Sequence, residues 1–237
     1  MVNAHARRTL GPFFERVGWQ ARAGEPVNDT LLRGELIGAL AVLGDEDIIA
    51  EVRRRAREPA ALPADIRNAV LGAYAHNANE QDYADLLARA RAAQDFVEQR
   101  RLWRWLASVK DESRARRTLQ MTLGEQIPRQ LRTQVIANVA GEHPRMAWNF
   151  VRTNRAQVEA LLDPLQRLEF PTGIAAASSD PAMVGELQAY ARDFPPGAER
   201  TVAGATATIM LRAQTIAERM PAVEAWIAAR NAPTPRR

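Results

Sequence analysis

Helix-start signals recur along this chain at a nearly constant interval, and that repetition constrains the fold more than any other feature. One series of starts lies near residues 29, 63, 94, 128 and 164, and a second near 45, 79, 111, 144 and 180. Within each series successive starts are about 31 to 36 residues apart, the period of stacked helix pairs. The signals are of two kinds. One is an Asp or Asn whose side chain accepts from a free amide of the first turn; the other is a proline, which loses no needed hydrogen bond at the first helical position. Asp45, Asn79 with Asp82, Asp111, Pro63, Pro128, Pro144, Asp163-Pro164 and Asp180-Pro181 all fit this description.

Gln94 to Gly124 holds one such unit. Phe96, Val97, Leu102, Trp103, Leu106 and Ala107 fall on one stripe at helical spacing, and Glu98, Arg101 and Arg104 fall on the other side. The pattern breaks at Ser108-Val109-Lys110, and Asp111 is placed to cap the second helix. Upstream, a helix from Thr30 to Leu43 carries Leu31, Leu32, Leu36, Leu40 and Leu43 on one face, Arg33 on another, and stops at Gly44. A short first helix, Thr9 to Val17, is expected to be interrupted by Gly11-Pro12, and the segment ending near Ala177 by Pro171 and Gly173. A long helix from Ala198 to Met220 and a short one from Ala222 to Ala229 are expected to close the stack. Alternating apolar and polar runs rich in β-branched residues are absent, so no strand competes. The expected fold is all-α: a right-handed α-solenoid of stacked antiparallel helix pairs, HEAT/armadillo-like, with residues 1–230 as one domain and 231–237 as a disordered tail.

At 46% hydrophobic residues, the 237-residue chain has enough apolar surface to bury a sizeable core. No run of about 18 apolar residues exists, so no transmembrane helix is expected. The N-terminal MVNAHARRTLGPFF lacks an apolar stretch and does not read as a signal peptide. The expectation is a soluble protein, cytoplasmic, or exported if a signal lies elsewhere. With Cys 0, disulfides, thiolate zinc sites and cysteine nucleophiles are excluded together. The net charge of +4 is carried almost wholly by arginine and interleaved with acids, which argues against nucleic-acid binding.

Catalytic patterns do not appear. His5, His76 and His143 are far apart, and none belongs to a His-Glu-x-x-His motif, so no metal site is expected. Ser108, Ser113, Ser178 and Ser179 lie outside any Gly-x-Ser-x-Gly elbow, and no phosphate-binding glycine loop can be written around Lys110. Carboxylate pairs such as Asp45/Asp47 and Asp82/Asp85 sit at helix starts, where they favour the helix dipole. Trp19, Trp103, Trp105, Trp148 and Trp226 read as packing anchors. The arginine clusters, Arg53-Arg54-Arg55, Arg100-Arg101 with Arg104, and Arg114 with Arg116-Arg117, suit helix ends and solvated faces. Some of these arginines are instead candidates for a wall that binds an acidic group such as a peptide carboxylate; Arg33, Arg101 and Arg104 are the candidates. For Arg33 a pairing with Asp29 is the structural alternative.

The order of several segments adds a resemblance. Val17 to Arg33, Leu43-Gly-Asp45, Arg100 to Ala107 ahead of Lys110-Asp111, Ala147 to Asn154, and Pro196 to Arg200 ahead of the last helix resemble the C-terminal helical domain of zinc aminopeptidases of the aminopeptidase N family. The likeness runs from about Leu10 to Ile227. It implies a HEAT/armadillo-like bowl that encloses the peptide chamber, with zinc and catalysis in a separate thermolysin-like domain whose motifs are absent here. It also implies a chain that begins partway into the usual helical domain, a fragment of a larger enzyme with no catalytic residue and no cofactor of its own. The partners implied are the parent's catalytic domain and a peptide substrate. The alternative expectation is a free-standing HEAT-like scaffold that binds a protein on its concave side or, less favoured, a nucleic acid.

Overall fold

Side-chain caps define the helix starts much as the sequence predicts. In the computed structural model, which describes residues 1–194 and 197–231, the Asp45 carboxylate accepts from the Ile48 amide at 3.2 Å, Asp95 from Glu98 at 2.8 Å and Asp111 from Arg114 at 3.0 Å. Two further starts are reciprocal. Asn79 accepts from the Asp82 amide at 2.9 Å while Asp82 accepts from that of Asn79 at 3.1 Å, and Asp163 and Gln166 exchange bonds of 2.8 and 3.2 Å. Each exchange satisfies two amides that the helix leaves without partners.

The resulting helices are α1 (Val2–Val17), α2 (Val27–Val42), α3 (Glu46–Ala56), α4 (Ala64–His76), α5 (Glu80–Ala92), α6 (Phe96–Ala107), α7 (Glu112–Met121), α8 (Arg129–Glu142), α9 (Pro144–Thr153), α10 (Arg155–Glu159), α11 (Gln166–Ala176), α12 (Ala182–Tyr190) and α13 (Glu199–Asn231). Among the described residues there is no strand. The fold is all-α and solenoid-like, with first helices α2, α4, α6, α8 and α11 and second helices α3, α5, α7, α9 and α12 in the predicted alternation.

Proline is where the structure departs from the expectation. Pro12, Pro171 and Pro221 each lie inside a helix. α1 starts at Val2 instead of Thr9, α11 is uninterrupted, and the two expected C-terminal helices are one continuous α13. A proline forfeits one ladder bond, and at Pro12 and Pro171 burial within the same helix offsets that loss, whereas Pro221 lies in an exposed stretch of α13 where no such burial explains it. Phe14 and Val17 are buried beyond Pro12, and Pro171 is itself buried beside Thr172, Ile174 and Ala175. Asp29 does not cap α2; Pro26 precedes that helix, and Asp29 in its first turn pairs with Arg16 at 3.0 Å. Pro196 and residues 232–237, including most of the expected tail, lie outside the described residues.

The chain forms two compact units: one comprises Met1–Asp82 with the segment from Pro221 onward, the other Tyr83–Met220. In the first, α2 packs on α1 and α4, and α3 on α4. Leu36, Ile37, Leu40, Val52, Ile66 and Val70 make its core. Leu31, expected on the buried face, is exposed, because Ile37 and Ala41 turn the buried stripe away from it. In the second unit α6 packs on α7 and α8, α8 on α9 and α11, and α11 on α12, so first helices contact first helices along the series. Trp103 and Trp148 are buried anchors, and Trp105, outside the predicted stripe, is buried as well. Trp226 departs from the expectation. It is 51% exposed, with His5 edge-on at 5.4 Å between ring centres and Arg230 stacked over it at 4.5 Å.

Candidate functional site

Arg33, the first candidate for a ligand-binding wall, is 0% exposed. Its Nε donates to the Gly18 carbonyl at 3.1 Å, and Nη2 donates to Val17 O at 3.1 Å and to Glu25 Oε2 at 2.7 Å. Nη1 donates to Glu25 Oε1 at 3.0 Å and reaches Asp65 at 3.4 Å. Hydrogen bonding from Arg33, followed by the Arg22 amide, holds the Glu25 carboxyl down at about 2 from 4.5. The guanidinium fork thus ties the α1 C-terminus, the connecting loop and the start of α4 to α2. The expected pairing partner, Asp29, contributes only through its field. Arg33 is a buried lock with no face open to a ligand, a correction to the wall assignment.

Arg101 and Arg104 do come together, and they bring Arg100 and Val97 with them. These four residues are spaced i, i+3, i+4 and i+7 on α6, on the side opposite Leu102 and Leu106, and with Gln134 of α8 they line a cavity of about 260 Å³. Val97 is 54% exposed and belongs to this wall, not to the apolar stripe on which the sequence placed it. Several arginines of the second unit have an acid to answer them. Arg89 meets Asp85 at 2.8 Å, Arg114 meets Asp111 at 3.1 Å, Arg145 bridges Asp180 and Glu186, and Arg155 meets Glu159 at 2.6 Å and Asp193 at 2.9 Å. Arg100 and Arg104 have no hydrogen bond or ion pair among the described residues. The i, i+3, i+4, i+7 spacing was legible in the sequence; Gln134 was reachable only through the repeat, since it sits one period beyond Arg101.

A larger groove of about 530 Å³ runs between α7 and α9, floored by Leu119, Met146 and Phe150 and rimmed by Glu112, Arg116, Glu142 and Arg145. His143 forms one end, its Nε2 donating to the Val109 carbonyl at 2.8 Å. His76 is buried in the last turn of α4 and His5 lies against Trp226, so each histidine sits in its own packing environment. Among the described residues no three His, Asp or Glu side chains are grouped to hold a metal ion.

Alternating first and second helices, with an arginine-lined cavity on α6, define a helical-repeat fold. The match to known proteins is narrower. The model of the ERAP1-like C-terminal domain family matches residues 1–211, and the chain belongs to that family. Curated relatives include aminopeptidase M1-A of Oryza sativa subsp. japonica, 34% identical over 152 residues, which is 60% of this chain and 17% of the relative. Aminopeptidase M1 of Arabidopsis thaliana is 31% identical over 146 residues, 58% of this chain and 17% of the relative. Aminopeptidase M1-C of Oryza sativa subsp. japonica is 26% identical over 220 residues, 88% of this chain and 25% of the relative. The chain therefore spans a quarter or less of the length of these relatives. No helix among the described residues is long and apolar enough to cross a membrane.

Proposed function

We propose that the chain is the non-catalytic C-terminal domain of a zinc aminopeptidase, where it encloses and gates the chamber that admits peptides. The observation that carries this reading is the family match over residues 1–211, joined to relatives that are all named aminopeptidases. Zinc and the reacting groups belong to the parent's catalytic domain, which this domain faces as a partner. Here the chemistry is selection by size: a flexible peptide enters a closed chamber and a folded protein does not. Arg101 and Arg104 serve as polar wall positions on α6 that meet the peptide's acidic end.

The purified chain, with zinc added, is expected to give no turnover of an aminoacyl-p-nitroanilide; chelator-sensitive turnover overturns the proposal. In the parent enzyme, Arg101→Gln/Arg104→Gln raises KM for long peptides about tenfold and leaves the small chromogenic substrate unaffected. The groove between α7 and α9 favours a second reading, a scaffold that holds a protein segment. An in-frame His-Glu-x-x-His domain upstream in the gene separates the two, since a free-standing scaffold has none.

A further inference from the structure

The α6 cavity has a property that the chamber reading does not use. Arg100 and Arg104 project from successive turns of one helix face, and neither meets an acid among the described residues. Glu98, the nearest acid on the same helix, sits roughly 160° around the helix from Arg100 and roughly 120° from Arg104. Of the lining side chains only Val97 is apolar, and the Gln134 amide of α8 supplies both a donor and an acceptor from across the cavity. Two guanidinium forks one turn apart, with a third on Arg101 beside them, form a concentrated positive field in a recess.

We propose that this cavity is a binding site for a diphosphate-type anion. Guanidinium forks match the oxygens of a phosphoryl group two at a time. Arg100 and Arg104, whose Cβ atoms stand about 6 Å apart as i, i+4 neighbours, can each grip one of two linked phosphoryl groups. A single carboxylate brings one negative charge, whereas a diphosphate brings at least two and balances both uncompensated arginines. The volume of about 260 Å³ equals roughly eight or nine waters, more than one phosphate group fills. The site shares Arg101 and Arg104 with the proposed peptide wall, and anion binding by the isolated chain is measured without any peptide or catalytic domain.

Titration calorimetry of the purified chain with inorganic pyrophosphate in about 0.1 M salt tests it, under conditions where loose counter-ion attraction is largely screened. The expected result is one-to-one binding that weakens about tenfold or more in Arg100→Gln and in Arg104→Gln. Arg104→Lys, which keeps the charge but loses the fork, retains part of the affinity, and Arg54→Gln, at an exposed arginine answered by Glu51, leaves it unchanged. Undetectable binding, or an equal loss in Arg54→Gln, overturns the site. Binding of a peptide that needs its free C-terminal carboxylate and Arg104, with no pyrophosphate binding, overturns it in favour of the peptide wall. All the exchanged arginines except Arg101 are exposed, and circular dichroism of each variant verifies that its fold is kept.

Discussion

Arg33 shows how a residue chosen for its charge takes a structural role instead. In the sequence it is an arginine on the polar side of a helix. In the structure it is buried, and five contacts, two to backbone carbonyls and three to the carboxylates of Glu25 and Asp65, fix its geometry. Replacing it by methionine leaves Glu25 without its partner and two backbone carbonyls without their donor, and is expected to lower the urea unfolding midpoint. Arg33→Lys is expected to recover only part of that, because an ammonium cannot reproduce the fork. The same contact sets a pH dependence. Glu25 is held at about 2 against an ordinary 4.5, so the folded state binds fewer protons than the unfolded one in that interval. Its contribution is complete above pH 4.5 and is lost as the pH falls towards 2. Acid unfolding followed by circular dichroism is expected to be shallower over that window in Glu25→Gln; an unchanged profile counts against the assignment. Glu51, lowered to about 2 by Arg54 and Arg55, leaves a residual slope in that variant. What hid this lock from sequence reading is distance along the chain: Glu25 sits in a loop and Asp65 in the next pair, and no local spacing rule joins either to Arg33.

The capping residues were legible in the sequence because their chemistry is local. An Asp three residues before an unpaired amide needs nothing from the rest of the fold, and Asp45, Asp111, Asn79 and Asp163 all behave as expected. Asp111→Ala is expected to cost about 1 kcal/mol by chemical denaturation, with Asp111→Asn close to neutral. The interior prolines were misread for the complementary reason. Whether a helix continues through Pro12 or Pro171 depends on what is buried around it, and a local spacing rule carries the cost without the tertiary gain. The stripe assigned to α6 failed at Phe96 and Val97 on similar grounds: an apolar residue in the first turn of a helix has less of the neighbouring pair to pack on, and both are exposed.

For the chain as a whole, a net charge of +4 overstates its appetite for polyanions. Several arginines on α3, α5, α7, α9 and α10 are answered by acids one turn away or on another helix, which works against an extended basic stripe of the kind that tracks a duplex. In a mobility-shift assay at about 0.15 M salt, duplex DNA is expected to run unretarded; salt-sensitive retardation at that ionic strength would reverse this reading. The fold class was legible because the period is long, regular and repeated five times. The cavity on α6 was legible only in half, since one wall lies within a helix and the other a full repeat away.

The sequential packing of the pairs has a consequence for how the chain is made. Within each unit the pairs carry their own start signals and neighbouring pairs pack on one another, so folding can follow the ribosome, one pair settling while the next is still being synthesised. The contact between His5 and Trp226 is the exception, since it joins α1 to α13, the two helices furthest apart in this sequence. That edge of the first unit therefore stays open until α13 has been made, a late seam in the assembly of that unit.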